Sequence, residues 1–152
     1  MLHLPSPNYN ERPDGVAVDT TVMHYTGMKT LDDALCRLCD EKAEVSCHYL
    51  ITKSGELYQL VDEKNRAWHA GISSWAGREN VNDFSIGIEL ENKGHEFGYT
   101  PFPKTQMDAL VALVADIKTR HNIKHIVGHS DIAPTRKQDP GEFFDWSLFR
   151  SA

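Results

Sequence analysis

Five short stretches of the chain are rich in apolar and β-branched residues and bounded by turn formers, which predicts strands over 18–24, 47–52, 56–61, 85–91 and 123–128. Alternation is strictest in the fourth: Ile86, Ile88 and Leu90 fall on one face, Ser85, Gly87, Glu89 and Glu91 on the other. Lys53-Ser54-Gly55 reads as a hairpin turn between the second and third strands. Two stretches carry helical spacing instead. Leu31, Ala34, Leu35 and Leu38 form a stripe after a Thr30 cap with Asp33 three residues on; Met107, Leu110, Val111, Val114 and Ile117 form another after Thr105 and Asp108. Both stripes need a sheet to cover. The order strand, helix, hairpin, strand, helix, strand therefore predicts an α/β fold, a mixed central β-sheet flanked by helices. Residues 1–15, with Pro5, Pro7 and Pro13, read as an extended N-terminal segment, and the run Phe143 to Phe149 as a short closing helix packed on the core.

At 152 residues the chain has room for one core, so 1–152 is expected to be a single domain acting as a monomer. A net charge of −6 with dispersed lysines and arginines argues against a nucleic-acid partner. No apolar run approaches the roughly 18 residues of a membrane span, and Met1-Leu2-His3-Leu4-Pro5 lacks the regions of a signal peptide. Three cysteines, an odd number, fit reduced thiols, so the cytoplasm is the expected compartment; an exported protein whose leader has been removed would read the same way. Cys36-x-x-Cys39 lies inside the first helix rather than at its start, where a reactive thiolate would be stabilised, and is read as structural.

The chemistry concentrates near the end. The run Ile126-Val127-Gly128 delivers His129, a proline-broken loop follows, and Asp139 returns two residues after Lys137, the arrangement a metal site at a sheet's end requires. Catalytic zinc usually takes three protein ligands and leaves a position for water, so a third is needed. His24, ending the run Thr20 to Met23, is the candidate. A base near the metal-bound water but off the metal is also required. Glu89 and Glu91 share a strand face, and alternation alone does not choose between them.

His24-Tyr25-Thr26, Ser46 to Ile51, Ala67-Trp68-His69-Ala70-Gly71, Asn82 to Glu91, Gly128 to Pro134 and Lys137-Gln138-Asp139-Pro140-Gly141 together resemble the zinc-dependent N-acetylmuramoyl-L-alanine amidases, the family of AmpD and AmiD. These are related to phage amidases and peptidoglycan-recognition proteins. The resemblance implies a mixed sheet with zinc in a groove at one end, Zn2+ on His24, His129 and Asp139, Glu89 as the base, and Lys137 beside the developing oxyanion. It implies peptidoglycan fragments or muropeptides as partners, cut at the amide joining N-acetylmuramic acid to L-alanine. Trp68 and His69 are expected near the substrate, His69 either contacting it or supporting a ligand; Arg78 and Asn82, in the polar loop before the Glu89 strand, are expected to contact stem-peptide carboxylates. At Cys47 some relatives carry a catalytic tyrosine, which this chain lacks. The alternatives are a non-catalytic peptidoglycan-recognition module, against which retention of all three ligands speaks, and a phage or secreted lysin acting on intact wall. The 24-residue step from His24 to His48 resembles the AmiD branch.

Overall fold

The computed structural model describes residues 1–149, so 150–152 of the expected domain lie outside the described residues. The chain runs through β1 (Leu2–His3), β2 (Tyr9–Glu11), β3 (Thr20–Tyr25), α1 (Leu31–Leu38), β4 (Tyr49–Ile51), β5 (Leu57–Gln59), β6 (Asn65–Ala67), β7 (Ser74–Trp75) and β8 (Arg78–Glu79). It continues through β9 (Ser85–Leu90), α2 (Gly94–Phe97), α3 (Lys104–Lys118), β10 (His125–Gly128) and α4 (His129–Ile132). Six strands form the main sheet in the order β1-β5-β4-β9-β3-β10. The β4, β9, β3 and β10 pairings are parallel, and β5 turns back antiparallel on β4 through the hairpin, so the sheet is mixed as the pattern predicts.

Alternation assigns the two faces of this sheet different work. Met23, Tyr49, Ile51, Ile86, Ile88 and Leu90 meet Met107, Leu110, Leu113, Val114 and Ile117 of α3 in the largest apolar cluster. Each such buried side chain contributes on the order of 1.5–3 kcal/mol. Gln106, also fully buried on α3, donates from Nε2 to the carbonyls of Ile51 and Glu91, tying the helix to the ends of β4 and β9. On the other face Leu38 of α1 packs on Cys47, Leu50 and Leu60, while Val22, Val127, Phe84 and Ile132 form a second cluster beside it.

Several local expectations change. Thr30 caps α1, accepting from the Asp33 N–H at 3.0 Å, but Thr105 does not cap α3: Pro103 occupies that position, and the Thr105 hydroxyl donates instead to Lys53 O in the hairpin turn. On α3, Val111 is exposed and Leu113 takes its place in the core. The closing helix is a single 3₁₀ turn at Trp146–Phe149, where Phe149 stacks on the buried Phe144 and Trp146 meets it tilted. The N-terminal segment is no loose tail. β1 adds to the sheet edge, β2 pairs with β6, and Ser6 and Asn8 are buried with hydrogen bonds to Leu38 O, Asp40 O and Val45 O.

A candidate metal centre in a cleft at the sheet's end

Because β3, β9 and β10 run parallel, their carboxyl ends meet along one edge, the edge where open α/β sheets carry their ligand sites. His24 is the penultimate residue of β3 and Glu89 that of β9, directly opposite each other in the register. His129 follows β10 as the first residue of α4, and Asp139 comes back from the loop beyond it, its carbonyl accepting the Ser130 N–H. These residues border a cleft of about 420 Å³, which Tyr25, Trp68, Lys93 and Lys137 also line.

Three donor atoms converge at its floor. His24 Nδ1 lies 3.0 Å from His129 Nδ1 and 3.1 Å from Asp139 Oδ2, and His129 Nδ1 lies 3.3 Å from that oxygen. All three residues are buried. Ligands bound tetrahedrally at about 2.0–2.1 Å from a zinc ion are separated by roughly 3.3 Å, so the triangle fits such an ion without rearrangement. The tautomers agree. His129 Nε2 must donate to the Ala70 carbonyl at 2.9 Å, which leaves Nδ1 of the neutral ring as a lone pair facing the other two atoms. Burial and the proximity of His129 push His24 down to about 4, against the hydrogen bond with Asp139, so the imidazole is neutral as a ligand must be.

The far side of His24 meets a second ring. His24 Nε2 is 3.0 Å from His69 Nδ1, and His69 Nε2 is 3.1 Å from Ser85 Oγ. His69 lies flat over Gly87, where a Cβ would come within 2.4 Å of the ring's Cγ. The glycine therefore leaves space for His69. The backbone of this segment is pinned too: Asn82 Oδ1 accepts the N–H groups of His69 and Ala70 at 3.1 and 2.9 Å, and Arg136 Nη2 donates to Ala70 O and Ile72 O. His48, packed edge-on against His69, accepts from Gly87 N at Nδ1 and donates from Nε2 to Asn65 O.

Glu89 and Glu91 now separate. Glu91 accepts the Lys53 N–H at 2.9 Å and fastens the hairpin. Glu89 lines the cleft, and its buried Oε2 has no hydrogen-bond partner among the described residues. Burial, reinforced by the charge of Asp139 and opposed by that of Lys137, pushes the Glu89 carboxyl well above its usual range. Lys137 is exposed on the cleft wall and forms no ion pair among the described residues. Trp68 also lines the cleft, partly buried, with Nε1 donating to Asn10 Oδ1 at 3.1 Å.

Two expected substrate contacts lie elsewhere. Arg78 donates to both carboxylate oxygens of Asp19, before the start of β3 and so at the opposite end of that strand from His24, and its guanidinium stacks on Phe84 at 3.7 Å. Asn82 is buried, its side-chain oxygen consumed by the two backbone N–H groups. Neither lines the cleft. Sequence reasoning also passed over Ser85 and Arg136, whose partners are sixteen or more residues away in the chain.

Comparison with known proteins identifies the family. The N-acetylmuramoyl-L-alanine amidase family matches residues 14–142. The chain is 43% identical to N-acetylmuramoyl-L-alanine amidase AmiD of Escherichia coli K12 over 143 residues, 85% of this chain and 51% of AmiD, so it spans about half the length of that relative. It is 38% identical to 1,6-anhydro-N-acetylmuramyl-L-alanine amidase AmpD of the same organism, covering 97% of this chain and 88% of AmpD. Among solved structures, E. coli AmiD in complex with anhydro-N-acetylmuramic acid-L-Ala-D-gamma-Glu-L-Lys superposes with a TM-score of 0.79 at 37% identity, covering 92% of this chain and 63% of that one.

Proposed function

Since the chain belongs to the N-acetylmuramoyl-L-alanine amidase family, we propose that it hydrolyses the amide between the lactyl group of N-acetylmuramic acid and L-alanine in muropeptides, as a zinc enzyme. The observation that carries this reading is the convergence of His24 Nδ1, His129 Nδ1 and Asp139 Oδ2 beneath a cleft in which Glu89 holds an unpaired carboxylate oxygen. Zinc on those three atoms would polarise the scissile carbonyl and lower the pKa of a water from about 16 toward about 7.

Glu89 takes the proton of the attacking water and passes it to the nitrogen of the leaving L-alanine, so one carboxyl serves as base and then as acid. Its raised affinity for protons, from burial and from Asp139, suits the second step. Lys137 faces the oxygen on which negative charge develops and contributes on the order of a few kcal/mol in a site from which substrate excludes water. The indole of Trp68 offers a flat wall to a sugar ring or stem peptide. Soluble fragments are the preferred substrate in this reading, since AmpD is named for anhydro-muropeptides and AmiD was captured with one. No helix among the described residues is long and apolar enough to cross a membrane. The free thiols of Cys36, Cys39 and Cys47 support a reducing compartment in this reading.

The test is turnover by the zinc-loaded protein of an anhydro-N-acetylmuramyl tripeptide against intact sacculi, read by mass spectrometry. Release of the tripeptide with a free alanine amine, abolished by chelator and restored by zinc, is expected. A loaded protein that cuts neither substrate refutes the reading.

A further inference from the structure

We infer that His69 is a positioning residue for the metal centre, the middle of a relay from His24 through His69 to Ser85 that fixes which nitrogen of His24 is free to bind metal. The inference rests on the zinc-site reading and adds to it a residue outside the convergent trio of donor atoms.

His24 can ligate through Nδ1 only if its proton sits on Nε2. That proton needs an acceptor, because Nε2 points into a buried region 3.0 Å from His69 Nδ1. His69 must then carry its own proton on Nε2, where Ser85 Oγ accepts it at 3.1 Å. Ser85 is fully buried, so no water offers an alternative partner. The relay ends in a hydroxyl, which can turn to accept. Orientation is fixed as tightly as protonation. The His69 ring is held against Gly87, its N–H and that of Ala70 are anchored on Asn82, and the next carbonyl, Ala70 O, receives the Nε2 proton of His129. One four-residue segment, Trp68 to Gly71, thus supports both metal histidines from behind, His24 through a side chain and His129 through a carbonyl. Partners that orient a ligating imidazole typically account for about 10–100-fold in metal affinity.

The experiment measures zinc affinity by chelator competition, with the visible spectrum of the cobalt(II)-loaded protein as a second readout of ligand geometry. His69→Leu removes the acceptor while keeping most of the volume, and His69→Asn restores an acceptor close to the position of Nδ1. His69→Leu is expected to weaken zinc about 10–100-fold and alter the cobalt spectrum, and His69→Asn to recover at least about 5-fold of that loss. Ser85→Ala, a change of one hydroxyl, covers the case in which His69→Leu fails to fold; several-fold weaker zinc binding is expected. If Ser85→Ala and a folded His69→Leu both bind zinc as the parent does, or if His69→Asn is no better than His69→Leu, the relay is wrong. A parent protein that does not take up zinc overturns the metal reading itself, so the two failures are distinguishable.

Discussion

His24 and Glu89 stand directly opposite each other on adjacent parallel strands, β3 and β9, and point to the same face of the sheet. Strands in a sheet are held about 4.8 Å apart by the backbone ladder. The ligand and the base therefore have their separation set by hydrogen bonds that involve neither side chain. β9 reinforces this from its other face, where Ile86, Ile88 and Leu90 are fully buried against α3. Removing either functional group should leave the scaffold intact, which makes their roles separable by mutation.

Glu89→Gln should fold and bind zinc with the stoichiometry of the parent protein, because Glu89 does not belong to the convergent trio of donor atoms. The amide cannot accept the proton of water, so the amidase rate should fall at least about 100-fold, the range for loss of a general base. Glu91→Gln should retain most of the rate, since that carboxylate fastens the Lys53 turn instead. Active Glu89→Gln protein would require the base to be sought elsewhere in the cleft.

Gly87→Ala tests the packing behind the site. A Cβ there would approach Cγ, Cδ2 and Nδ1 of His69 within 2.4–2.7 Å, and that ring has no room to retreat between Ser85 and His24. Overpacking of this kind costs about 1–3 kcal/mol, which urea unfolding of the metal-free protein would register. Unchanged stability together with unchanged zinc affinity would mean that the ring moves freely.

Two members of the candidate trio are legible because each sits where an apolar run stops, His24 after Thr20 to Met23 and His129 after Ile126 to Gly128; Asp139, in a loop with few apolar residues, is picked out by Lys137 two residues before it and by the family resemblance. Register follows from alternation, and alternation is local. What a polar side chain bonds to is not. Asn82 in a polar loop reads like a substrate contact, and only the fold reveals that two N–H groups twelve and thirteen residues back occupy its oxygen. Arg78 reads the same way until Asp19, 59 residues earlier, claims it. Thr105 looks like a helix cap because its sequence neighbours suit one, yet the Lys53 carbonyl from a distant hairpin competes successfully for its hydroxyl. The N-terminal segment reads only as extended, and its pairing with β5 and β6 depends on strands that are themselves too short to announce a partner.

Acid should loosen the fold on the face away from the cleft. Glu63 is half-buried, and although burial favours its neutral form, hydrogen bonds from Arg120, Tyr49 and His121 hold it down to about 2 from an ordinary value of 4.5. A carboxyl depressed in the folded state contributes stability that is fully present above its unfolded value and is lost as pH falls from about 4.5 towards about 2. The shift corresponds to at most about 3 kcal/mol. In the metal-free protein, which removes ligand protonation from the comparison, the stability gap between wild type and Glu63→Gln should be largest near pH 7 and shrink by pH 3. A gap independent of pH would show that the carboxylate's charge is immaterial there.

Lys137 decides whether the oxyanion has a second source of positive charge besides the metal. It is exposed on the cleft wall with no carboxylate partner among the described residues, so replacing it by methionine, which keeps the apolar stem, should leave folding and zinc content nearly unchanged. Its charge acts on Glu89 as well, favouring the ionised form that can serve as base. Two effects on kcat should therefore coincide: loss of an oxyanion donor, which typically costs about 100-fold or more, and a rise in the pH at which the acidic limb of the rate profile turns over. An interaction realised chiefly as charge develops lowers kcat and leaves KM almost untouched. If Lys137→Met raises KM alone, the lysine binds a substrate carboxylate; if it changes neither constant, the metal stabilises the oxyanion unaided.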